Sequence, residues 1–281
     1  NSFSTLQKLI DSIPSNDDFE IIIIDDNSNS QNKKKLKSLK SKKNLNLIIH
    51  KKDNSAGYAR NVGLKIAKGK WIIFADADDY FDNNIIKICK KYYSSKYDIV
   101  YFYTDTINKQ KNIIDRHSRY NKLIDKYLDT DYDEIRYKHL RCTGKIYRKE
   151  FLNNKNIFFE NIIASNDLMF SLKCGHLANK IHASKTIFYH LKISENSLST
   201  TFNKNIFNTR FDAAIRINNY MCKIKKNNYQ ISLLYYIFRS YKFGAANTLY
   251  VFKKIIQNKS NILKGIHKIK YFKKIIRSRE S

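Results

Sequence analysis

Three carboxylates fall within four positions, at Asp76, Asp78 and Asp79, directly after the apolar run Trp71-Ile72-Ile73-Phe74. Four apolar residues are too few for a helix and suit a fully buried strand of a mostly parallel sheet. In an open α/β sheet, ligands bind just beyond the carboxyl ends of the strands, where these acids would stand. Clustered carboxylates repel one another, so a cation is expected to hold them together. A hard divalent ion, Mg2+ or Mn2+, with phosphate oxygens completing its shell suits that chemistry. The competing reading is a solvated turn with an Asp-rich helix cap.

Other residue types and spacings bear on chemistry. Asp25 and Asp26 follow the β-branched run Phe19–Ile24 and make a second acidic strand end; as turn acids they would need no ligand. Asp167 opens the run Asn166–Leu172, where an Asp can be a plain helix cap. His190 ends the run from Lys185, and no other His or Cys stands at metal-ligand spacing from it. Lys145 and Arg148 are either an ordinary surface pair or contacts for an acceptor or phosphate, and Ser197 lies in the polar stretch beyond His190.

The elements that must position these groups alternate. Phe3, Leu6, Ile10 and Ile13 recur at helical spacing until Pro14. The strand Phe19–Ile24, a basic helix over Gln31–Lys43 and a strand over Leu45–His50 follow. A helix beginning near Asn54 carries small residues Ala56, Ala59 and Gly63 on its packing side, with Arg60 and Asn61 near the strand ends. Gly69 stops that helix before the central strand, and Asp98–Tyr103 adds another. Such alternation predicts an α/β sheet with right-handed crossovers. From Thr104 to Thr130 no period is visible, and an irregular excursion is expected there. Lys145–Leu152 reads as a strand turning into a short helix. Beyond Asn203 the pattern is helical, with Ile206, Phe211, Ala214, Ile217 and Met221 near one face and Leu263, Ile266, Ile269, Phe272 and Ile276 lining a last helix.

The 281 residues carry 53 Lys and Arg against 25 Asp and Glu, a formal charge of +28 that calls for an anionic partner. After Glu195 the only acids are Asp212 and Glu280, and eighteen Lys and Arg fall between 203 and 281. The four cysteines show no CxxC or Cys/His metal spacing and read as buried free thiols of a reducing compartment. No signal peptide and no apolar run of membrane-spanning length is visible. The chain opens with Asn1, so an N-terminal piece is expected to precede it.

Six stretches in order, FEIIIIDDNSN (19–29), SAGYARNVG (55–63), WIIFADADD (71–79), KIYRKEFL (145–152), NDLMF (166–170) and YHLKISENS (189–197), resemble the family-2 glycosyltransferases. The resemblance covers about residues 1–200. It implies the GT-A fold, a Rossmann-like, mostly parallel sheet flanked by helices, as a domain over 1–202; the remainder, 203–281, matches nothing specific in the family and reads from its own pattern as a basic helical region. It implies an inverting, metal-dependent hexosyltransferase using a nucleotide-sugar donor, UDP-linked, and a glycan or lipid-linked glycan acceptor, in bacterial polysaccharide or lipooligosaccharide synthesis. By the same resemblance Asp26, with Asp25 beside it, meets the base, Arg60 the nucleotide and Asp76 the ribose. Asp78 binds the Mn2+ or Mg2+ that bridges the phosphates, Asp79 supports it, and Asp167 is the general base. His190 is a phosphate contact or further metal ligand. Two departures stand out. The family's first strand is absent ahead of Phe3, and Asn166 replaces the Glu that usually precedes the base.

The chemistry is self-consistent. A nucleoside diphosphate leaves readily only when its charge is neutralised, and an acceptor hydroxyl needs a carboxylate to take its proton. The basic tail, residues 257–281, suits docking to an anionic bilayer, which would place the enzyme on the inner face of a bacterial cytoplasmic membrane; a solvated helix face is the alternative. Two rival functions remain at this level. A nucleic-acid-binding protein would use the charge and the 20 tyrosines, although no helix-turn-helix, RNP or finger motif is present, and no nucleic acid is expected. A nucleotidyltransferase would need a glycine-rich phosphate loop, and none is visible. An inactive binding module is the third possibility.

Overall fold

The computed structural model describes residues 3–39, 44–52, 54–107, 118–192, 202–258 and 260. Helix α1 (Phe3–Asp11) precedes β1 (Ile21–Asp25), α2 (Ser30–Ser38), β2 (Leu45–Ile49) and α3 (Ala56–Ile66). The short strands β3 (Trp71–Ile72) and β4 (Tyr80–Phe81) bracket the acidic segment; α4 (Ile85–Tyr92) and the long β5 (Ile99–Ile107) follow. Then come α5 (Ser118–Thr130), α6 (Glu134–Lys138), β6 (Lys145–Arg148), α7 (Lys149–Asn154), α8 (Asn166–Leu177) and β7 (Ile181–Lys192). The C-terminal region is built of α9 (Lys204–Lys223), α10 (Leu234–Ser240) and α11 (Ala245–Gln257).

The α/β architecture with a helical C-terminal region is the one the sequence implies. Its hydrogen bonding is more mixed than the parallel sheet expected. Strands β1 and β2 pair in parallel, and a second sheet runs β3-β6-β5-β7-β4. Among the described residues only β5–β7 is parallel there; β3–β6, β5–β6 and β4–β7 are antiparallel. The central apolar run also departs from expectation. Only Trp71 and Ile72 pair, against Arg148 and Tyr147. Phe74 leaves the ladder and becomes a buried plug, edge-on to Tyr147, Phe159 and Phe170.

Three further expectations are corrected. Residues 104–107 continue β5, and residues 118–130 form α5, whose buried Tyr120 and Ile124 are one turn apart. Residues 108–117 lie outside the described residues. Of the small residues on α3, Ala56 is exposed, and a Cβ at Gly63 would meet Ile24 and Ile22 at ordinary distances of 3.7 and 3.8 Å. The cysteines are unpaired, with Cys142 and Cys174 buried, but Cys222 is exposed. No helix among the described residues is long and apolar enough to cross a membrane.

The core divides along the sheet. Ile99, Tyr101, Tyr147, Phe170 and Phe159 fill one side with Ile124 and Ile135; Val100, Phe102, Ile146 and Phe188 fill the other with Phe81 and Ile88. Helix α9 joins the C-terminal helices to this body. Its Ile217 and Met221 pack with Tyr137, Met169 and Leu172, while Phe211, Ala214 and Ile215 pack with Leu233, Val251 and Ile255.

Candidate active site

The site begins at the start of α3. Ser55 caps the helix by accepting from Tyr58 N at 3.1 Å, and its hydroxyl donates to Asn161 Oδ1 at 2.7 Å. One turn on, the Asn61 side chain makes a two-way bond with the Phe159 backbone, donating to its carbonyl at 3.0 Å and accepting from its N–H at 2.8 Å. Between them Gly57 lies so close to the same loop that a Cβ would stand 2.2 Å from Glu160 O. From the far side Arg216 of α9 grips Glu160 through Nε and Nη2 at 2.6 and 3.2 Å. The loop delivering Asn166 and Asp167 is therefore stapled to α3.

Arg60 joins the two acidic centres. Its Nη1 donates to Asn166 Oδ1 at 2.8 Å and its Nη2 to Asp76 Oδ1 at 2.5 Å, with the guanidinium over the Phe159 ring at 5.4 Å. Burial works against its charge, but Cys142, Asp76 and Asp167 outweigh that and hold its pKa above the usual arginine value. Asp76 also donates its backbone N–H to the Tyr189 hydroxyl at 2.8 Å. Asp79 is buried and accepts from Lys192 N at 2.9 Å. Burial first, then the neighbouring charge of Asp76, pushes its carboxyl up to about 8. Asp78 adds to the same repulsion and is half-buried.

Asp167 sits in the first turn of α8, after Ser165 in the left-handed region at φ 62°. Burial raises its pKa above the usual carboxylate range; Arg60 opposes the rise and Asp76 adds to it. Those dependences put Asp167, Arg60 and Asp76 in one electrostatic neighbourhood. In its ionised form a carboxylate so raised is a stronger proton acceptor than a solvated one.

The other residues singled out from the sequence are placed variously. Asp25 is buried and accepts from Ser28 N at 3.3 and 3.2 Å, bracing the turn after β1. Asp26 accepts from Asn54 N at 3.0 and 3.2 Å and so ties that turn to the approach of α3. His190 stacks on Tyr80 at 4.8 Å, with Nε2 3.6 Å from Asp82 and Nδ1 3.8 Å from Asp105. Its ring thus stands among β4, β5 and β7. Lys145 and Arg148 have other hydrogen-bond partners, although the charge of Asp167 reaches Lys145. Lys145 is buried, donating to His139 O at 2.7 Å with its ammonium 4.7 Å over Tyr101, and burial lowers its pKa to about 7. Arg148 lies over Trp71 at 4.8 Å and bonds the carbonyls of Tyr97, at 3.0 Å, and Ser95. Ser197 lies outside the described residues.

Sequence reasoning missed Tyr189 and the Lys192 backbone, which brace Asp76 and Asp79 from β7. The only signal was the adjacency of Tyr189 to His190 in a quoted motif. It also missed that Asn166, noted as a departure, is an Arg60 acceptor.

A divalent ion is consistent with the donor chemistry. The Asp79 carboxyl is raised partly by Asp76 and Asp78, a repulsion a cation would relieve. Among the described residues no group of three or more His, Cys, Asp or Glu could hold a metal by itself. One or two carboxylates with substrate phosphates is the common Mg2+ arrangement, which the Asp76–Asp79 segment could supply.

Comparison with known proteins agrees with this reading of the fold. The model of glycosyl transferase family 2 matches residues 1–154. The chain is 24% identical over 210 residues to poly(ribitol-phosphate) beta-N-acetylglucosaminyltransferase TarS of Staphylococcus aureus, covering 72% of this chain and 36% of that protein. It is 28% identical over 190 residues to poly(ribitol-phosphate) beta-glucosyltransferase of Bacillus spizizenii, covering 66% of this chain and 29% of that one. The chain thus spans about a third of the length of these relatives. The crystal structure of S. aureus TarS 1-349 in complex with UDP-GlcNAc superposes with a TM-score of 0.65 at 18% identity, over 90% of this chain and 77% of that one. A mannosyltransferase from Pyrobaculum calidifontis in complex with GDP-Man and Mn2+ gives 0.55 at 12% identity, over 92% and 72%. At such identities the structural likenesses show the GT-A fold alone. The family match spans more than half of the chain, and the chain belongs to glycosyl transferase family 2.

Proposed function

We propose that the protein transfers a hexose or N-acetylhexosamine from a UDP-linked donor to a hydroxyl of a glycan, inverting the anomeric centre. The observation that carries this is the Arg60 bridge, which ties the Asp76–Asp79 segment to the α8 terminus bearing Asp167. In this reading Asp26 and Asp25 hold the base, Asp76 the ribose and Asp78 the divalent ion, with Asp79 fixing their segment. Arg60 acts as a positioning residue, since both ends of its guanidinium already have partners. A bound Mg2+ or Mn2+ would neutralise the diphosphate as a Lewis acid. Asp167 takes the acceptor proton as its oxygen attacks, and with one base and no second carboxylate nucleophile the displacement inverts. A related fold holding UDP-GlcNAc supports the UDP donor, and another holding GDP-Man with Mn2+ supports a metal.

The acceptor belongs to bacterial surface polysaccharide or lipooligosaccharide synthesis in this reading. Two relatives named for poly(ribitol-phosphate) favour a phosphate-bearing glycan, which a charge of +28 would attract. Residues 257–281 contribute attraction to an anionic membrane on the cytoplasmic side. A screen of UDP- and GDP-sugars that follows nucleotide release, with Mg2+, Mn2+ or chelator, tests the proposal. Release with a UDP-hexose or UDP-N-acetylhexosamine, lost in chelator, is expected. Turnover with GDP-sugars only would overturn the donor, and undiminished turnover in chelator would overturn the metal.

A further inference from the structure

Helix α11 has two apolar sides. Val251 and Ile255 are buried against Phe211 and Leu233. On the outside, Leu249 is 69% exposed, Phe252 38% and Ile256 70%, and their spacing of three and four residues lines them along one stripe. The other exposed residues of the helix are Ala245, Ala246, Lys253 and Gln257. A surface helix ordinarily turns polar residues outward, and a contiguous apolar face marks an interaction site. Just upstream, Tyr241 is also 65% exposed.

Charge selects the occupant. Residues 203–258 contain ten Lys and Arg and one acid, Asp212. That carboxylate already accepts from the Tyr250 hydroxyl at 2.8 and 2.7 Å and pairs with Lys254 at 3.2 Å. Lys253 flanks the stripe, and Lys242 beside Tyr241 is exposed. A second copy of this chain would bring another +28 against the first, a repulsion that opposes self-association. A bilayer with anionic headgroups is negative at its surface and apolar beneath, matching an apolar stripe edged with lysines. We propose that the outward face of α11 docks on an anionic membrane, with Leu249, Phe252 and Ile256 in the acyl boundary and Lys253 among the headgroups. This deepens the membrane reading given above for residues 257–281 and assigns the contact to a different surface.

Flotation of the full chain with phosphatidylcholine vesicles, with and without phosphatidylglycerol, tests it. The wild type should float with the anionic vesicles, and the triple variant Leu249→Ser/Phe252→Ser/Ile256→Ser should lose about tenfold or more of its partitioning. Equal flotation of both overturns the α11 surface. If Lys264→Gln/Lys268→Gln/Lys273→Gln alone abolishes flotation, the contact belongs to the tail and the earlier reading survives without this one. A triple variant that melts lower yet floats normally shows the stripe to be covered by the chain itself. A dimeric wild type made monomeric by the triple variant shows a second copy there. Both results overturn the proposal.

Discussion

Arg60 donates to Asn166 at 2.8 Å across 106 residues of sequence, and the next residue is Asp167. The same guanidinium holds Asp76, so one side chain sets the proposed base against the acidic segment. Replacing it leaves a buried amide and a carboxylate without their donor, which costs about 1–3 kcal/mol for the unsatisfied group. Arg60→Ala should lower the melting temperature and reduce kcat/KM by about a hundredfold or more. Arg60→Lys keeps the charge but not the fork, and should recover little of that loss. Steady-state assays of both variants check this; wild-type rates for Arg60→Lys would contradict the bridge.

On the proposed role of Asp167, its raised pKa gives the activity a defined acid limb. The base works only when ionised, so kcat/KM should rise with pH through a value above the ordinary aspartate range, because burial holds the proton on. A pH–rate profile whose acid limb sits at or below that of a solvated carboxylate would contradict it.

Asp79 makes a stability prediction of the opposite slope. Its carboxyl is raised to about 8 in the folded protein from 3.8, so between those values the folded state binds more protons than the unfolded one. The stability it contributes is complete below about 4 and is lost as pH rises through about 8, by up to about 5 kcal/mol. Asp79→Asn should flatten that decline in metal-free buffer. Melting curves from pH 4 to 9 that fall equally in both proteins would refute the assignment.

Two glycines six residues apart in sequence should behave oppositely. Gly57→Ala drives a Cβ into Glu160 O, a backbone atom that cannot rotate away, and should cost about 1–3 kcal/mol together with activity. Gly63→Ala meets only ordinary contacts in a helix interior and should be neutral or stabilising by about 0.5–1 kcal/mol. Thermal melts of the two variants compare them directly; equal effects would remove the close approach of α3 to the loop.

The strand ends and their acids were legible because short β-branched runs followed by Asp announce themselves locally. So was the α3 start, where Ser55 stands as a favoured cap. The pairing of β3 with β6 was not legible, since Trp71 pairs with Arg148 and Ile72 with Tyr147, far along the chain. Helix α5 was legible and was overlooked: Tyr120, Leu123, Ile124 and Tyr127 stand at helical spacing, but the polar residues between them and around them masked the stripe. Lys145 looked like a surface cation; only the three-dimensional packing of Tyr101, Cys142 and Cys174 around it puts its ammonium inside the core. The Arg60 bridge, joining motifs one hundred residues apart, leaves no local trace at all.

The central claim is that Asp167 deprotonates the acceptor while the donor is held by other residues. It is tested most directly by Asp167→Asn, measuring UDP affinity by calorimetry and sugar transfer from an α-linked UDP-sugar by NMR. The account predicts unchanged UDP affinity, a rate lowered about 10²–10⁴-fold, and a β-linked product from the wild type. Wild-type turnover by the variant, or an α-linked product, would contradict it.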